Sequence, residues 1–339
     1  MKWNDLTLRV GVLAVLAAML LRFAGSGIFG DTIGVFAQPE QASFLIYSET
    51  GRLPTPSSTP TIPTTDPTTA PTTVPTAPAP TQTEPPVTVP INPGSTIFTA
   101  EDAEYVKFTY SCSLRPDAKK LLLQKLSWDL TGDEPTVLIV HSHGTEAYTK
   151  TPDANYEGHA AYRTTDDRYN MISIGDELAR LLEAAGIHVI HDRTAHDYLD
   201  YDNAYSNSRK SVQAYLKQYP SINLVLDVHR DAGTNADGSQ ATTSATVNGK
   251  KSAQLMYVAG TGYTKWQTNL SLVEKLHVVT EKSFPGVTRP INLRSKPYNQ
   301  DLSVGSLLVE VGSAGNTHAE AMNAVPALAE AIVALAWGS

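Results

Sequence analysis

The stretch Val137-Leu-Ile-Val-His141-Ser-His143-Gly-Thr-Glu146 decides how this chain reads. Four consecutive apolar residues predict a buried strand. The run then breaks into two histidines and a carboxylate. Open α/β sheets hold their active sites at the carboxyl ends of their strands, where these polar residues fall. A second segment, Ile222-Asn-Leu-Val-Leu-Asp227-Val-His229-Arg230-Asp231, repeats the arrangement. Two buried strands that each deliver a histidine at the exit point to one shared site, and histidine beside carboxylate points to metal.

Working outward, the periodicity alternates between strand and helix. Residues 170–185 place Ile172, Leu178, Leu181 and Leu182 at helical spacing, and Gly186 follows as the terminating residue. Residues 187–190 read as a strand, 206–218 as a helix, 221–228 as the central strand, 254–259 as a strand and 269–282 as a helix. Residues 306–311 form a last strand and 317–337 an alanine-rich terminal helix. This alternation predicts a three-layer α/β domain: a largely parallel central sheet with helices on both faces. Residues 103–129 should pack on its edge. The Gly-, Ser-, Thr- and Asn-rich stretch 231–252 reads as a surface loop or hairpin near His229, placed to border a substrate groove.

Upstream, composition changes. Between Pro54 and Pro93 lie 13 of the chain's 22 prolines, interleaved with threonine, with Asp66 and Glu84 the only charges. Such a segment cannot bury enough apolar surface to offset its ordering entropy, and it reads as a disordered spacer. Before it, Lys2 and Arg9 precede the apolar run Val10–Leu21. A basic flank followed by an apolar stretch reads as an uncleaved signal anchor, with a cleaved export peptide as the alternative. The expected organisation is therefore a tip and anchor over 1–30, an extracytoplasmic segment and Pro/Thr linker over 31–96, and a catalytic domain over 97–339. The net charge of -8 leaves no basic footprint for nucleic acid. Cys112 is the only cysteine, which excludes an internal disulfide and any Cys-based zinc site.

All nine histidines fall between His141 and His318. His143 and His229 are the leading metal ligands. His141 competes with His143, since alternate residues of a strand share a face. Zinc hydrolases take three His or carboxylate ligands and leave one position open. The third ligand is open among Glu146, Glu157 and Asp166. Glu310 interrupts the apolar strand Leu307-Leu-Val-Glu310-Val. A carboxylate buried there is costly unless it is used, and general base and acid is the use that fits. Arg230 is a candidate for holding a substrate carboxylate or an oxyanion, with a salt bridge to Asp227 or Asp231 as the structural alternative. His188, His191 and His196 read as lying on or after an outer strand, and His277 and His318 as solvated or capping residues.

Several strings together resemble the stage II sporulation protein P family. These are His141-Ser-His143-Gly-Thr-Glu146-Ala-Tyr148, Asn170 with Gly175, Gly186-Ile-His-Val-Ile-His-Asp192, Tyr205-x-x-Ser208, Asp227-Val-His229-Arg230-Asp231, and Glu310-Val-Gly312 with Asn316. The resemblance implies a zinc-dependent N-acetylmuramoyl-L-alanine amidase and endopeptidase that strips peptidoglycan during engulfment in endospore formation. It implies a membrane-anchored enzyme that works with a lytic transglycosylase and a membrane scaffold protein. In the related zinc amidases a His-Gly string supplies one ligand, matched by His143, and a later strand supplies another, matched by His229. A Glu four residues before a helical Asn supplies the third, and here that position is Asp166. The amidases' catalytic glutamate matches Glu310. Two other functions stay open: a zinc peptidase acting on wall peptides, and an inactive wall-binding module that recruits other hydrolases. A serine hydrolase using Ser142 is disfavoured because no Gly-x-Ser-x-Gly elbow is present.

Overall fold

The computed structural model describes residues 98–126 and 129–338. The expectations for the anchor and the Pro/Thr linker lie outside them. Nine strands are described: β1 (Phe108–Ser111), β2 (Val137–Val140), β3 (Val189–His191), β4 (Leu224–Asp231), β5 (Ala245–Val247), β6 (Lys250–Ser252), β7 (Leu255–Gly260), β8 (Ile291–Arg294) and β9 (Ser306–Ser313). The helices are α1 (Ala118–Leu122), α2 (Met171–Ala184), α3 (Ala204–Gln218), α4 (Trp266–Ser283), α5 (His318–Met322) and α6 (Val325–Gly338).

Seven strands make one sheet in the order β1-β8-β7-β9-β4-β2-β3. Every neighbouring pair is parallel except β7 and β9, which run antiparallel. The sheet is thus mixed and mostly parallel. β9, β4 and β2 are adjacent and parallel, so their carboxyl ends share one edge. That edge is where the sequence put its histidines and its glutamate.

Alternation along the strands sorts the two faces. Val137 and Ile139 of β2, with Leu224, Leu226 and Val228 of β4, join one large core that includes residues of α2, α4 and α6. Leu138, Val140 and Val225 face the other way, against Val212 and Leu216 of α3. In β4 the same alternation puts Asp227 and His229 on the α3 face, in phase with Val225. In β9, Glu310 stands directly opposite His229 in register and therefore shares its face.

The helices have local causes. Asn170 caps α2 by accepting from Ile172 N at 2.9 Å. Gly186 follows α2 at φ +82, in the left-handed region. The terminal helix is two helices, because Thr317 and Glu320 form a capping box that starts α5 and the chain restarts at Val325. Among the described residues one helical stretch, His318–Gly338, is apolar and long enough to cross a membrane; its most apolar portion is 61% buried in the domain. It is a core element here, since α6 packs on α2 and α4. The stretch after Asp231 contains a hairpin, β5–β6, turned by Asn248 and Gly249, both at positive φ.

Helix α4 is buried nearly all round, including Glu274, which is 0% exposed and has no hydrogen-bond partner on either carboxylate oxygen among the described residues. Burial pushes its carboxyl up to about 9. In the unfolded chain the carboxyl ionises near its ordinary 4.5, so between the two values that chain releases a proton that the folded chain keeps. Stability should therefore fall as pH rises through that window. Glu274→Gln should be more stable than the wild type at pH ~8 by on the order of 2 kcal/mol, and the gap should close toward pH ~5. Urea unfolding at the two pH values measures this; equal stabilities at both would contradict it.

Candidate active site

β2 stops at Val140 and the chain turns at once. That turn separates the two histidines the sequence had placed together. His141 goes inward: Nδ1 meets the Val228 carbonyl at 2.8 Å and Nε2 meets His191 Nε2 at 2.9 Å. Burial, then the charge of His191, holds its pKa down to about 3, so the ring is neutral. It lies against Gly175 of α2, where any Cβ would collide with both imidazoles. His141 is therefore a packing residue, not a ligand and not substrate-facing.

His143, two residues on, faces the other way. Its Nδ1 lies 3.7 Å from Asp197 Oδ2 and makes no hydrogen bond. Asp197 is itself fixed by Thr145, from the backbone N at 3.1 Å and from the hydroxyl at 2.6 Å. Tyr201 stacks on the His143 ring at 4.6 Å, and the ring of His229 is 5.5 Å away, edge on.

His229 is held more firmly. Its Nε2 bonds Asp227 Oδ1 at 2.7 Å, and Asp227 also accepts from Ser142, at 2.8 Å from the backbone N and 2.5 Å from the hydroxyl. Ser142 is thereby committed to positioning Asp227, which leaves it no role as a nucleophile. Burial opposes protonation of His229, but Asp227 and Glu146 outweigh it and hold the pKa well above the usual imidazole range. With Nε2 occupied, the nitrogen turned toward the site is Nδ1, 3.5 Å from Glu146 Oε2.

Glu146 is 5% exposed. Its Oε1 lies 3.3 Å from Arg230 Nη1, and its Oε2 accepts from the Arg230 backbone N at 3.3 Å. Burial pushes its carboxyl up, while Arg230, His229 and His143 pull it below the ordinary value, so it is ionised. Arg230 also donates from Nε to the Ala147 carbonyl at 3.0 Å and from Nη2 to the Tyr162 carbonyl at 3.1 Å. Arg230 pairs with neither Asp227 nor Asp231, the structural alternative expected of it; it is 5% exposed, and its donors go to Glu146 and two backbone carbonyls. It is a positioning residue for Glu146. Asp231 pairs with Arg289 instead, at 2.7 Å.

Glu310 is 9% exposed, and its Oε2 is buried without a partner. Burial, reinforced by Glu146 and Asp231, pushes its carboxyl up to about 8.

The structure brings His143, Glu146, His229 and Glu310 together and leaves other candidates out. Asp166 is not delivered: Arg168 donates to both its oxygens, at 2.9 and 2.6 Å, in the turn before α2. Its short side chain is satisfied two residues away. Glu157 is exposed. His188 is exposed, and His196 is tied to Asp192 at 3.1 Å. His277 is not solvated: it is 2% exposed and contacts the Tyr105 carbonyl at 3.2 Å; His318 is half-buried and bonds Ser173 Oγ at 2.7 Å. Two residues went unread in the sequence. Asp197 carries no motif, and Tyr205, whose ring lies parallel to that of His229 at 6.1 Å, was legible only as part of a family string.

Among the described residues no three His, Cys, Asp or Glu side chains form a ready-made metal cluster. The donors nevertheless suit zinc. Ligands about 2.0–2.1 Å from a tetrahedral zinc lie roughly 3.3 Å apart, close to the 3.5 Å between His229 Nδ1 and Glu146 Oε2. Both histidines have a buried aspartate behind them, as metal-binding histidines commonly do. Two histidines and a glutamate are also a recurrent set in zinc hydrolases.

Comparison with known proteins gives the family. The model of the Stage II sporulation protein P family matches residues 82–333. This chain belongs to that family. The Stage II sporulation protein P of Bacillus subtilis (strain 168) is 28% identical over 218 residues, which cover 61% of this chain and 52% of that protein. The chain thus spans about half the length of the curated relative it matches. Among solved structures, the N-acetylmuramoyl-L-alanine amidase AmiC2 of Nostoc punctiforme is 13% identical with a TM-score of 0.36, over 60% of this chain and 96% of that one. The CwlD amidase from Clostridioides difficile, in complex with the GerS lipoprotein, is 15% identical with a TM-score of 0.37, over 59% of this chain and 96% of that one. Those scores are too low to carry function across. For this member of the family, the chemistry has to be argued from the side chains themselves.

Proposed function

We propose that this protein is a peptidoglycan amidase that cleaves the bond between N-acetylmuramic acid and the stem peptide, using zinc held by His143, Glu146 and His229. One observation carries the reading: two aspartate-backed histidines, an ionised glutamate and a buried, unpartnered glutamate converge at the carboxyl ends of β2, β4 and β9. Zinc bound there would displace the proton from His229 Nδ1, since a ligating imidazole is neutral, and would polarise the amide carbonyl and activate water. Asp227 orients the His229 imidazole, Asp197 stands 3.7 Å behind His143, and Arg230 fixes Glu146. Glu310 would serve as base and then acid: a cation bound beside it would favour its carboxylate despite the burial, and its free Oε2 would then take a proton from water and deliver it to the leaving amine nitrogen of the stem peptide. Asp166, the position the resemblance pointed to, gives way to Glu146, which reaches His229.

Membership of a sporulation family supports a role at the wall during endospore formation, with the domain outside the cytoplasm. A lytic transglycosylase and a membrane scaffold as partners belong to the same proposal, and rest on the family resemblance.

Digestion of purified walls with the full chain tests the chemistry. An amidase exposes the lactyl carboxyl of muramic acid and the amino group of the first stem residue, both readable by mass spectrometry. A zinc peptidase would leave every lactyl group blocked and cut within the peptide. A wall-binding module would retain the walls and release nothing.

A further inference from the structure

Among the arginines near the site one stands apart. Arg168, Arg193 and Arg230 each lie within ion-pair distance of a carboxylate. Arg163 has no such partner among the described residues, and its Nε is buried without a hydrogen bond. In an acidic domain, a cation left over beside a cluster of carboxylates calls for a physical reason.

Its position is specific. The Arg163 backbone bridges Glu146 in a short antiparallel pairing. Its guanidinium carbon sits 3.9 Å from the centre of the Tyr201 ring. Tyr201 in turn stacks on His143, 28° from parallel. A column of guanidinium, phenol and imidazole thus leads outward from a proposed zinc ligand. Its base is sewn in place: Thr164 N donates to the Thr145 carbonyl at 2.9 Å, and Ala147 N to the Tyr162 carbonyl at 2.9 Å. Tyr201 is 47% exposed and Arg163 half-buried, so the column reaches solvent.

We propose that Arg163, seated on Tyr201, binds a carboxylate of the peptide part of the substrate. The ring covers one face of the guanidinium, and the edges that remain match a planar carboxylate. Electrostatics supply the need. Glu146 is offset by Arg230 and Asp227 by His229, so Arg163 is left, among the described residues near the site, as an arginine whose charge no carboxylate of the protein offsets. The inference rests on the substrate being a wall peptide.

The test is calorimetric binding to full-length protein carrying Glu310→Gln, which blocks turnover. Two probes are used: a soluble N-acetylmuramyl peptide with free carboxylates, and the same peptide with them amidated. The free acid should bind more tightly, by about 10-fold or more, as expected for a charge-assisted pair. Adding Arg163→Gln should erase that preference, leaving both probes at the weaker level, while Arg163→Lys should restore part of it. A merely structural role would weaken both probes together. Equal binding of the two probes, or a preference that survives Arg163→Gln, would overturn the proposal. Turnover by the wild type is scored separately. Cleavage that ignores amidation and Arg163 would sink this inference and keep the amidase. Arg163-dependent binding without cleavage would do the reverse.

Discussion

Glu310→Gln should fold, bind walls and lose about 10²–10⁴-fold of stem-peptide release, the range that a positioned acid–base group supplies. The substitution keeps the shape of the side chain. It also removes a carboxyl that burial has pushed up to about 8, so the folded protein should be no less stable. What disappears is the ability to accept and return a proton. Glu310 earns this role by register: it pairs with His229 across β4 and β9 and therefore stands on the same face. Its Oε2 has no partner in the protein, although a buried polar atom normally finds one. Initial rates on purified walls, with thermal unfolding as the folding control, measure the effect. Wild-type rates in the variant would remove Glu310 from the chemistry.

The second large effect distinguishes two carboxylates. Glu146→Gln should lower activity by more than about 100-fold, the upper end of what loss of an outer-shell partner costs. Gln is preferable to Ala because its carbonyl can still accept from Arg230; a bare Arg230, buried and unpaired, would destabilise the domain by about 3–5 kcal/mol. Asp166→Asn should be close to wild type, since it breaks only a surface pair with Arg168. Surface pairs contribute roughly 0–1 kcal/mol. Rates from the two variants in parallel decide the matter: inactivity in Asp166→Asn with activity in Glu146→Gln would reverse the ligand assignment.

The contrast shows what the sequence could and could not carry. Which segments are strands was legible in part, because apolar runs such as Val137–Val140 and Leu224–Leu226 read as buried strands. The positions of His229 and Glu310 followed from those strands. Strands β1 and β8 went unread, since Phe108–Ser111 and Ile291–Arg294 alternate apolar and polar residues over only four positions each, and β8 is fixed by pairing with β1 on one side and β7 on the other. Within the site, errors arose where the chain leaves regular structure. Strand alternation put His141 beside His143, but β2 ends one residue earlier, and the turn sends His141 into the core. Asp166 fitted a spacing rule, yet a nearby arginine captured it, and no spacing rule records such competition. Asp197 lies 54 positions beyond His143 in the chain and is connected to it only through the fold.

The most direct test of the central claim is a zinc titration of the full-length chain and its variants after removal of metal by chelation. One zinc should bind per wild-type chain and restore stem-peptide release in proportion to occupancy. The site should be lost in His143→Ala, weakened in His229→Ala and Glu146→Gln, and retained in Asp166→Asn. Full hydrolysis by chelated protein, or zinc binding untouched by loss of both His143 and His229, would contradict the account.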